Sequence, residues 1–280
     1  MQIIDSHAHV HDKKFDEDRE AVIQRSFDDG VEKIITVGTN EKTSFEAIEL
    51  AQKYENIYAT IGLHPLHLFE ASNCDPEEQF VEDFDYDKYL QLAKNENVVA
   101  IGEVGLDYHH FGEGDDVETI KKEQRRVFIE FINICKEVKK PIVVHCWDGY
   151  GELLEILAQN PLCSSDISPS RKGRGYGVIH SYIGSWKNAE KFIELGYKIG
   201  LNGIATYGES YDKLIRNIDL KDLLIETDAP YLPPRPLLRE NRCEPKDVRL
   251  VAEKIAQVKE INVGEVIKQI TKNTEELFKI

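Results

Sequence analysis

The chain lacks the features that mark a secreted, disulfide-stabilised or membrane-spanning protein. Its 280 residues include five cysteines, an odd number, and no Cys-x-x-Cys pair, so we expect neither a disulfide framework nor a cysteine-based zinc knuckle. No apolar run approaches the ~18 residues that a membrane span requires. The N-terminal residues do not show the pattern of a signal peptide, which is a basic segment followed by an apolar run. These absences favour a cytoplasmic protein.

Basic residues are scarce relative to acidic ones. The chain has 35 lysines and arginines against 51 aspartates and glutamates, a formal net charge of −16. Such a chain does not hold a polyanion through its global field, so a nucleic-acid partner requires a local basic patch or bound cations. The loop-like region 162–176 contains one basic stretch, 171–174. A contact with a substrate backbone and an ordinary solvated loop explain this stretch equally well.

Short apolar, β-branched runs alternate along the chain with amphipathic stretches. The runs predict strands at 2–5, 33–37, 57–61, 98–101, 141–145, 177–180, 197–201 and 223–226. The amphipathic stretches predict helices at 16–29, 41–54, 86–95, 118–138, 149–159, 186–195, 208–217, 246–258 and 263–278. Alternating strands and helices indicate parallel βα units. Eight units favour an α/β protein with a closed (β/α)8 TIM-type barrel as one domain, 1–280, over a doubly wound open sheet.

The segment DSHAHVH follows the first predicted strand and carries three histidines on alternate positions. Residues at alternate positions of a strand point to the same face, so His7 and His9 would direct their rings to one shared point. Neutral imidazole is the commonest protein metal ligand. On this segment alone, a metal site and an ordinary polar turn are equally good interpretations, and His11 is the least certain of the three.

Ligand-type side chains recur where the predicted strands end. They are His7, His9, His64, Glu103, Asp107, His145, Asp148, His180, Glu226 and Asp228. The carboxyl ends of barrel strands share one mouth, where active sites lie. Because an unpaired buried imidazole or carboxylate is costly, one metal site explains this recurrence better than separate core residues do. The predicted site comprises His7, His9, Glu103, His145, His180 and Asp228.

Longer motifs identify a family. The chain resembles the TatD-type deoxyribonucleases, metal-dependent hydrolases related to the amidohydrolase barrels. The resemblance covers nearly the whole length, through IIDSHAHV, IGLHPLH, AIGEVGLDYHH, KEQRRVFIEF, PIVVHCWD, GVIHSYIGS, LLIETDAPYLPP and ITKNTEELF. It implies a (β/α)8-type barrel with two divalent metal ions. It also implies hydrolysis of phosphodiester bonds in DNA, as a 3′–5′ exodeoxyribonuclease on single strands or 3′ ends. We expect neither a membrane nor an obligate protein partner.

The resemblance also implies roles for individual residues around the first ion. His7 and His9 would hold this ion, and Asp228 would complete its shell and orient or deprotonate the attacking water. Glu103 would bridge the two ions, because a carboxylate offers two oxygens. Glu103 and Asp228 are thus the candidate catalytic residues. His64, at the family's Gly-x-His-Pro position, would lie near the substrate phosphate.

His145 and His180 would hold the second ion. Two neighbouring cations lower the pKa of a bridging water and clamp the phosphoryl oxygens. Mixed nitrogen and oxygen ligands suit Zn²⁺ or Mn²⁺, whereas Mg²⁺ is better suited to oxygen ligands. Two divalent ions would also create a local positive focus on an acidic protein.

The chain departs from the family pattern at several positions. His11 stands where the family usually has an aspartate, and Cys146-Trp147-Asp148 replaces Ser-Arg-Asp, which removes an expected phosphate contact. Trp147 either stacks on a base or packs on the barrel rim, and packing is the favoured interpretation. The loop 108–118 is rich in acidic residues, which would repel a polyanion at the mouth.

Two other functions remain open at this point. A metal-activated water also attacks carbonyl groups, so the same site suits a deacylase or amidohydrolase acting on N-acyl or D-aminoacyl substrates. The missing arginine and the acidic loop favour this alternative. The second alternative is a metal-binding or scaffold protein with a vestigial site, against which the complete set of six ligand residues argues.

Overall fold

The computed structural model describes residues 2–70, 80–162, 176–237 and 240–280. Within these ranges it contains eight parallel strands, paired in the order β1 to β8. They are β1 Ile3–Ala8, β2 Val31–Val37, β3 Ile57–Ile61, β4 Val98–Asp107, β5 Ile142–Trp147, β6 Gly177–Ile179, β7 Tyr197–Leu201 and β8 Leu223–Ile225. The predicted single-domain TIM-type barrel is confirmed. The doubly wound alternative is wrong, because such a sheet reverses its strand order at a switch point.

Nine α-helices lie within the described ranges and follow the predicted stretches. They are α1 Arg19–Asp28, α2 Glu41–Lys53, α3 Tyr86–Ala93, α4 Val117–Val138, α5 Tyr150–Gln159, α6 Trp186–Glu194, α7 Asp212–Asn217, α8 Val248–Lys259 and α9 Val263–Phe278. Short 3-10 helices occupy Lys13–Phe15, Pro65–Leu68, Gly203–Thr206, Leu220–Asp222 and Pro245–Asp247. None of the helices in this part of the chain is long and apolar enough to cross a membrane.

The first helix begins later than its sequence pattern predicts. The pattern starts at residue 16, but α1 starts at Arg19. The preceding residues form the 3-10 turn Lys13–Phe15, in which Asp12 accepts a hydrogen bond from the backbone of Lys14 and Phe15 is fully buried. The side chain of Asp12 thus satisfies a backbone donor outside the helix, as capping residues do.

Strand β4 extends six residues beyond its apolar run and carries Glu103 into the barrel. Its extension pairs with β5, so that Gly105 lies opposite His145. Gly105 has φ +153°, and a Cβ at this position would lie 2.0 Å from the carbonyl oxygen of His145. Only glycine permits this approach. The Gly-Leu-Asp part of the motif therefore places β4 close against the strand that carries His145.

The seam between β8 and β1 is closed by side-chain and backbone hydrogen bonds. The buried carboxylate of Asp5 accepts hydrogen bonds from the Thr227 amide at 2.9 Å and the Thr227 hydroxyl at 2.6 Å. The Asp228 amide then donates to the carbonyl of His7 at 2.8 Å. The first residues of DSHAHVH are therefore structural, and they bring Asp228 beside the histidines of β1.

The barrel interior has an apolar layer, which we call the barrel floor. It comprises Ile35, Val37, Ala100, Val143, Val178, Leu224, Leu277 and Phe278. The last two residues belong to the end of α9, which is anchored by an ion pair between Glu275 and Lys33 near the start of β2, at 2.9 Å. The carboxyl end of α9 thus covers the amino ends of the strands, opposite the mouth.

Candidate metal centre

Glu103 lies at the centre of the histidines that the sequence predicts as ligands. Its Oε2 is 3.3 Å from His7 Nε2 and 3.9 Å from His9 Nε2. Its Oε1 is 3.0 Å from His145 Nδ1 and 2.7 Å from His180 Nε2. The two oxygens therefore face two different pairs of imidazoles, which is the arrangement that a bridging carboxylate requires.

Asp228 completes the group around the histidines of β1. Its Oδ1 lies 3.2 Å from His9 Nε2 and 3.6 Å from His7 Nε2. His9 Nδ1 is 2.7 Å from the carbonyl of Val37, so a neutral His9 carries its proton on Nδ1 and directs the lone pair of Nε2 into the site. Burial raises the pKa of Asp228, but the hydrogen bond with His9 and the charges of neighbouring histidines lower it to about 2. Asp228 is therefore ionised at neutral pH.

Two buried histidines lack hydrogen-bond partners in the described part of the chain. His7 and His180 stack with their ring centroids 4.0 Å apart, and both ring nitrogens of each are without a hydrogen bond. The carboxylate of Glu103 is close to both rings but is not aligned with them as an acceptor. Buried polar atoms without partners are costly, and a bound cation would satisfy the nitrogens that face Glu103.

The ligand atoms are close enough to hold metal ions. Three groups have ligand atoms within 4.8 Å of one another: His7, His180 and Asp228; His7, His9 and Glu103; and His64, Glu103 and His145. All of these donors are imidazole nitrogens or carboxylate oxygens. This mixed set fits divalent ions such as Zn²⁺ or Mn²⁺.

The carboxylates and imidazoles of the site shift one another's pKa values. Burial alone would raise the pKa of Glu103, but His180 and the other imidazoles hold it well below its ordinary value. Burial alone would lower the pKa of His145, but Asp107 and Glu103 raise it to about 9. The neighbouring carboxylates thus favour the protonated form of His145. Because a metal ligand must be deprotonated, metal binding here releases protons.

His64 lies near Glu103 but presents a different group to the site. Its Nδ1 accepts a hydrogen bond from the Leu66 amide at 3.2 Å and caps the 3-10 helix Pro65–Leu68. A neutral His64 therefore carries its proton on Nε2, which is 3.4 Å from Glu103 Oε1. A metal ligand needs a lone pair on this nitrogen. Although distance alone groups His64 with potential ligands, its hydrogen bonding makes it a donor.

Two residues that depart from the family pattern have partners of their own. His11 is buried, and its Nδ1 is 2.9 Å from the hydroxyl of Thr36; burial, with the charge of His9, lowers its pKa to about 3. Trp147 stacks on His109 with ring centroids 4.2 Å apart. One face of this indole is therefore covered within the protein. The basic stretch 171–174, and all of the loop 162–176 except its two end residues, lie outside the described residues.

Two buried carboxylates stand behind the predicted ligands, although the sequence-based ligand set omits them. Asp107 Oδ2 is 3.0 Å from His145 Nε2, and Glu226 Oε1 is 3.4 Å from His180 Nδ1. The alternation of side chains along a strand is a signal for the first of them, because Asp107 follows Glu103 by four positions on β4. The pattern does not say which carboxylate is a ligand and which supports one.

The mouth opens into a cavity of about 1400 Å³, which exceeds the usual size of a small-molecule site. Glu103, His145, His180 and Asp228 line its deep part. Its outer part contains both basic and acidic side chains, including Lys13, Lys42, Asp16 and Glu20. The cavity has room for a polymer end, but acidic side chains outnumber basic ones in its lining, and Lys42 and Lys53 are paired with Glu46 and Glu20.

Comparisons with known proteins identify the family of the chain. A family model described as TatD related DNase matches residues 4–279. The chain is 33% identical over 280 residues to the uncharacterized metal-dependent hydrolase YabD of Bacillus subtilis, covering 99% of each chain. It is 31% identical over 249 residues to the 3′-5′ ssDNA/RNA exonuclease TatD of Salmonella typhimurium, covering 87% of this chain and 86% of the relative.

The fold has a solved counterpart. The crystal structure of YjjV, a TatD homologue from Escherichia coli K12, superposes with a TM-score of 0.82 at 29% identity, covering 99% of this chain and 98% of that chain. Family match, relatives and fold agree over nearly the whole length. The chain therefore belongs to the TatD-related DNase family and is a metal-dependent hydrolase.

Proposed function

We propose that the protein hydrolyses phosphodiester bonds in DNA with a binuclear metal centre, as a 3′–5′ exodeoxyribonuclease. The observation that supports this proposal most directly is the position of Glu103, whose two oxygens face two different pairs of histidines. In this proposal His7, His9 and Asp228 would hold one ion, His145 and His180 would hold the second, and Glu103 would bridge the two. The ions are Zn²⁺, Mn²⁺ or Mg²⁺, and the catalytic domain is the whole barrel, 1–280.

Asp228 is the proposed general base. Bound divalent ions lower the pKa of water and stabilise charge on phosphoryl oxygens. Asp228 is ionised at neutral pH, and its side chain is 16% exposed against 5% for Glu103. Asp228 therefore has access to the mouth, where it orients the attacking water and accepts its proton. Glu103 lies deeper and holds the two halves of the site together.

His64 is the proposed contact to the substrate phosphate. Its Nε2–H points into the site because Nδ1 is occupied by the Leu66 amide. Burial, together with the charge of His145, lowers the pKa of His64 to about 4, so the ring is neutral at pH 7. A neutral N–H donor binds a phosphoryl oxygen without competing for a metal ion.

The substrate proposal is supported by the size of the cavity and by the Salmonella relative, whose name describes action on single-stranded DNA and RNA from the 3′ end. We propose single-stranded DNA or DNA 3′ ends as the substrate. The buried free thiols of Cys135, Cys146 and Cys243 fit a reducing compartment, and we propose a cytoplasmic location.

A deacylase remains the second candidate, because one observation favours it. Trp147 stands where the family often has an arginine, and it packs on His109 at the edge of the cavity. An apolar ring at this position suits an acyl group better than a phosphate. The same base would accept the proton of the same water as that water attacks a carbonyl.

A substrate panel separates the two candidates. Protein loaded with Zn²⁺ or Mn²⁺ is incubated with 5′-labelled single-stranded DNA and, in parallel, with N-acyl and D-aminoacyl substrates, with and without EDTA. The proposal predicts stepwise shortening of the DNA that EDTA abolishes. Intact DNA together with chelator-sensitive release of free amino acid would establish the deacylase instead.

A further inference from the structure

Asp107 is one of two fully buried carboxylates near the metal centre that the mechanism above leaves without a role. Asp107 ends β4, and its side chain has no solvent exposure. Its Oδ1 accepts hydrogen bonds from the amides of His109 and His110, each at 3.0 Å. Its Oδ2 is 2.9 Å from His110 Nδ1 and 3.0 Å from His145 Nε2. In each of these contacts an ionised Asp107 can accept a hydrogen bond, from a backbone N–H or from a ring N–H.

His145 lies between two carboxylates, and this fixes where its proton resides. Nε2 faces Asp107, and Nδ1 faces Glu103 Oε1 at 3.0 Å. A neutral imidazole has one N–H and one lone pair, and an ionised carboxylate only accepts. When His145 is neutral, a proton on Nε2 satisfies Asp107 and leaves the lone pair of Nδ1 directed at the centre of the site.

We infer that Asp107 is a positioning residue that holds His145 in the Nε2–H tautomer, with the Nδ1 lone pair directed at the metal centre, and that His110 anchors the carboxylate by a second ring N–H. Carboxylates that accept from a ligating histidine orient the ring and raise its basicity. The inference rests on the proposed role of His145 as a metal ligand. It assigns Asp107 to support of that ligand.

The other histidines of the site are supported less strongly. His9 Nδ1 contacts the backbone carbonyl of Val37, which side-chain substitution leaves in place. His180 has Glu226 at 3.4 Å, but its Nδ1 makes no hydrogen bond within the described residues. Among these three, only His145 has a side-chain carboxylate hydrogen-bonded to the ring nitrogen that faces away from the metal centre, so its tautomer is the one that a point substitution should change.

The variant Asp107→Asn tests this inference because an amide cannot satisfy four donors. If its NH₂ group takes the place of Oδ1, it opposes two backbone amides. If it takes the place of Oδ2, it faces the Nε2–H of His145. Moving the imidazole proton from Nε2 to Nδ1 removes this clash between two donors. The second arrangement removes the lone pair from the metal centre. The matched control is Asp148→Asn: Asp148 also contacts a histidine, His109 Nδ1 at 2.9 Å, but its side chain is 62% exposed.

Zinc binding is measured by competition with a chromophoric chelator, and histidine tautomers by nitrogen NMR of zinc-loaded protein with ¹⁵N-labelled histidine. We expect Asp107→Asn to weaken zinc binding at one site by about 10- to 100-fold, the usual effect of losing an outer-shell partner. Asp148→Asn should bind zinc like the unchanged protein. In the unchanged protein, His145 should show a zinc-bound Nδ1 and a protonated Nε2.

Equal zinc affinity in folded Asp107→Asn and the unchanged protein would overturn the inference, as would a zinc-bound Nε2 on His145. If Asp107→Asn does not fold, the tautomer of His145 in the unchanged protein decides. Neither the zinc-binding measurement nor the NMR measurement uses nucleic acid, so both are independent of DNA cleavage. Protein that binds zinc as expected but leaves DNA intact would contradict the proposed function and leave the role of Asp107 standing.

Discussion

The two ends of the barrel interior are built from the same strands but from opposite kinds of side chain. On β5, Val143 belongs to the barrel floor, whereas His145, two residues later and on the same side of the strand, contacts Glu103. The floor is apolar and covered by Leu277 and Phe278. The mouth contains buried carboxylates and imidazoles whose charges compensate each other. We conclude that the floor supplies folding free energy, while the mouth supplies a site that a cation completes.

Replacing the central carboxylate should have the largest effect on the mouth. In Glu103→Ala, the histidines on both sides lose the carboxylate that lies between them. We expect DNA cleavage to fall by more than about 100-fold, because the loss of a bridging ligand should exceed the 10- to 100-fold effect of losing an outer-shell partner. Cleavage of the labelled strand and bound metal are measured on protein whose folding is verified by circular dichroism. Retained cleavage in folded Glu103→Ala would show that the mouth does not act through this residue.

Removing the proposed phosphate contact should have a smaller effect and should leave the metal in place. His64→Ala is expected to lower cleavage by about 10- to 100-fold, the equivalent of one hydrogen bond to a charged group. Its metal content should match that of the unchanged protein, because its Nε2 carries a proton. His64→Gln, which retains a donor, should recover part of the activity. Loss of metal in both variants would instead make His64 a ligand.

Truncation in the barrel floor should affect stability and leave the chemistry unchanged. Phe278 is 3% exposed and belongs to the floor cluster. Phe278→Ala is expected to lower the free energy of unfolding by about 3–5 kcal/mol, measured by urea denaturation. Under conditions in which the variant is fully folded, its cleavage rate should equal that of the unchanged protein. A reduced rate with full metal content would show that the two ends are coupled.

Exposed ion pairs outside the barrel should have the smallest effect. Hydrogen bonds from Arg242 and Arg25 lower the pKa of Asp18 from 3.8 to about 2. A lowered carboxyl pKa contributes stability that is fully present above pH 3.8 and is lost as the pH falls through 2. The side chain is 35% exposed, so the contribution is at most about 1 kcal/mol. Asp18→Asn should be less stable than the unchanged protein at pH 5, and the difference should shrink toward pH 2; a constant difference would contradict this cause.

The strands that contribute to the floor were predictable from sequence because apolar runs are a local signal. Each of the eight predicted strands is present, and the family motifs predicted which ligand-type residues converge at the mouth. Strand ends were less predictable. β1 and β4 run on through polar residues as far as Ala8 and Asp107, since paired backbone and burial continue after the apolar pattern ends.

Sequence alone did not distinguish the proposed metal ligands from the carboxylates that hydrogen-bond to them. Asp107 and Glu103 are both carboxylates on the same strand, and only their distances to the two nitrogens of His145 distinguish them. Likewise, the hydrogen bond from the Leu66 amide to His64 Nδ1 depends on a 3-10 turn that the GLHP motif does not specify. Tautomers and second partners arise from tertiary structure, so sequence patterns do not encode them directly.

The most direct test of the central claim is a metal titration followed by both binding and cleavage. Metal-free protein is loaded stepwise with Zn²⁺ or Mn²⁺, bound metal is counted, and shortening of 5′-labelled single-stranded DNA is followed at each step. We predict that cleavage appears as the second equivalent per chain binds and disappears with EDTA. DNA that stays intact at two bound ions, or cleavage that persists in metal-free protein, would contradict a binuclear nuclease.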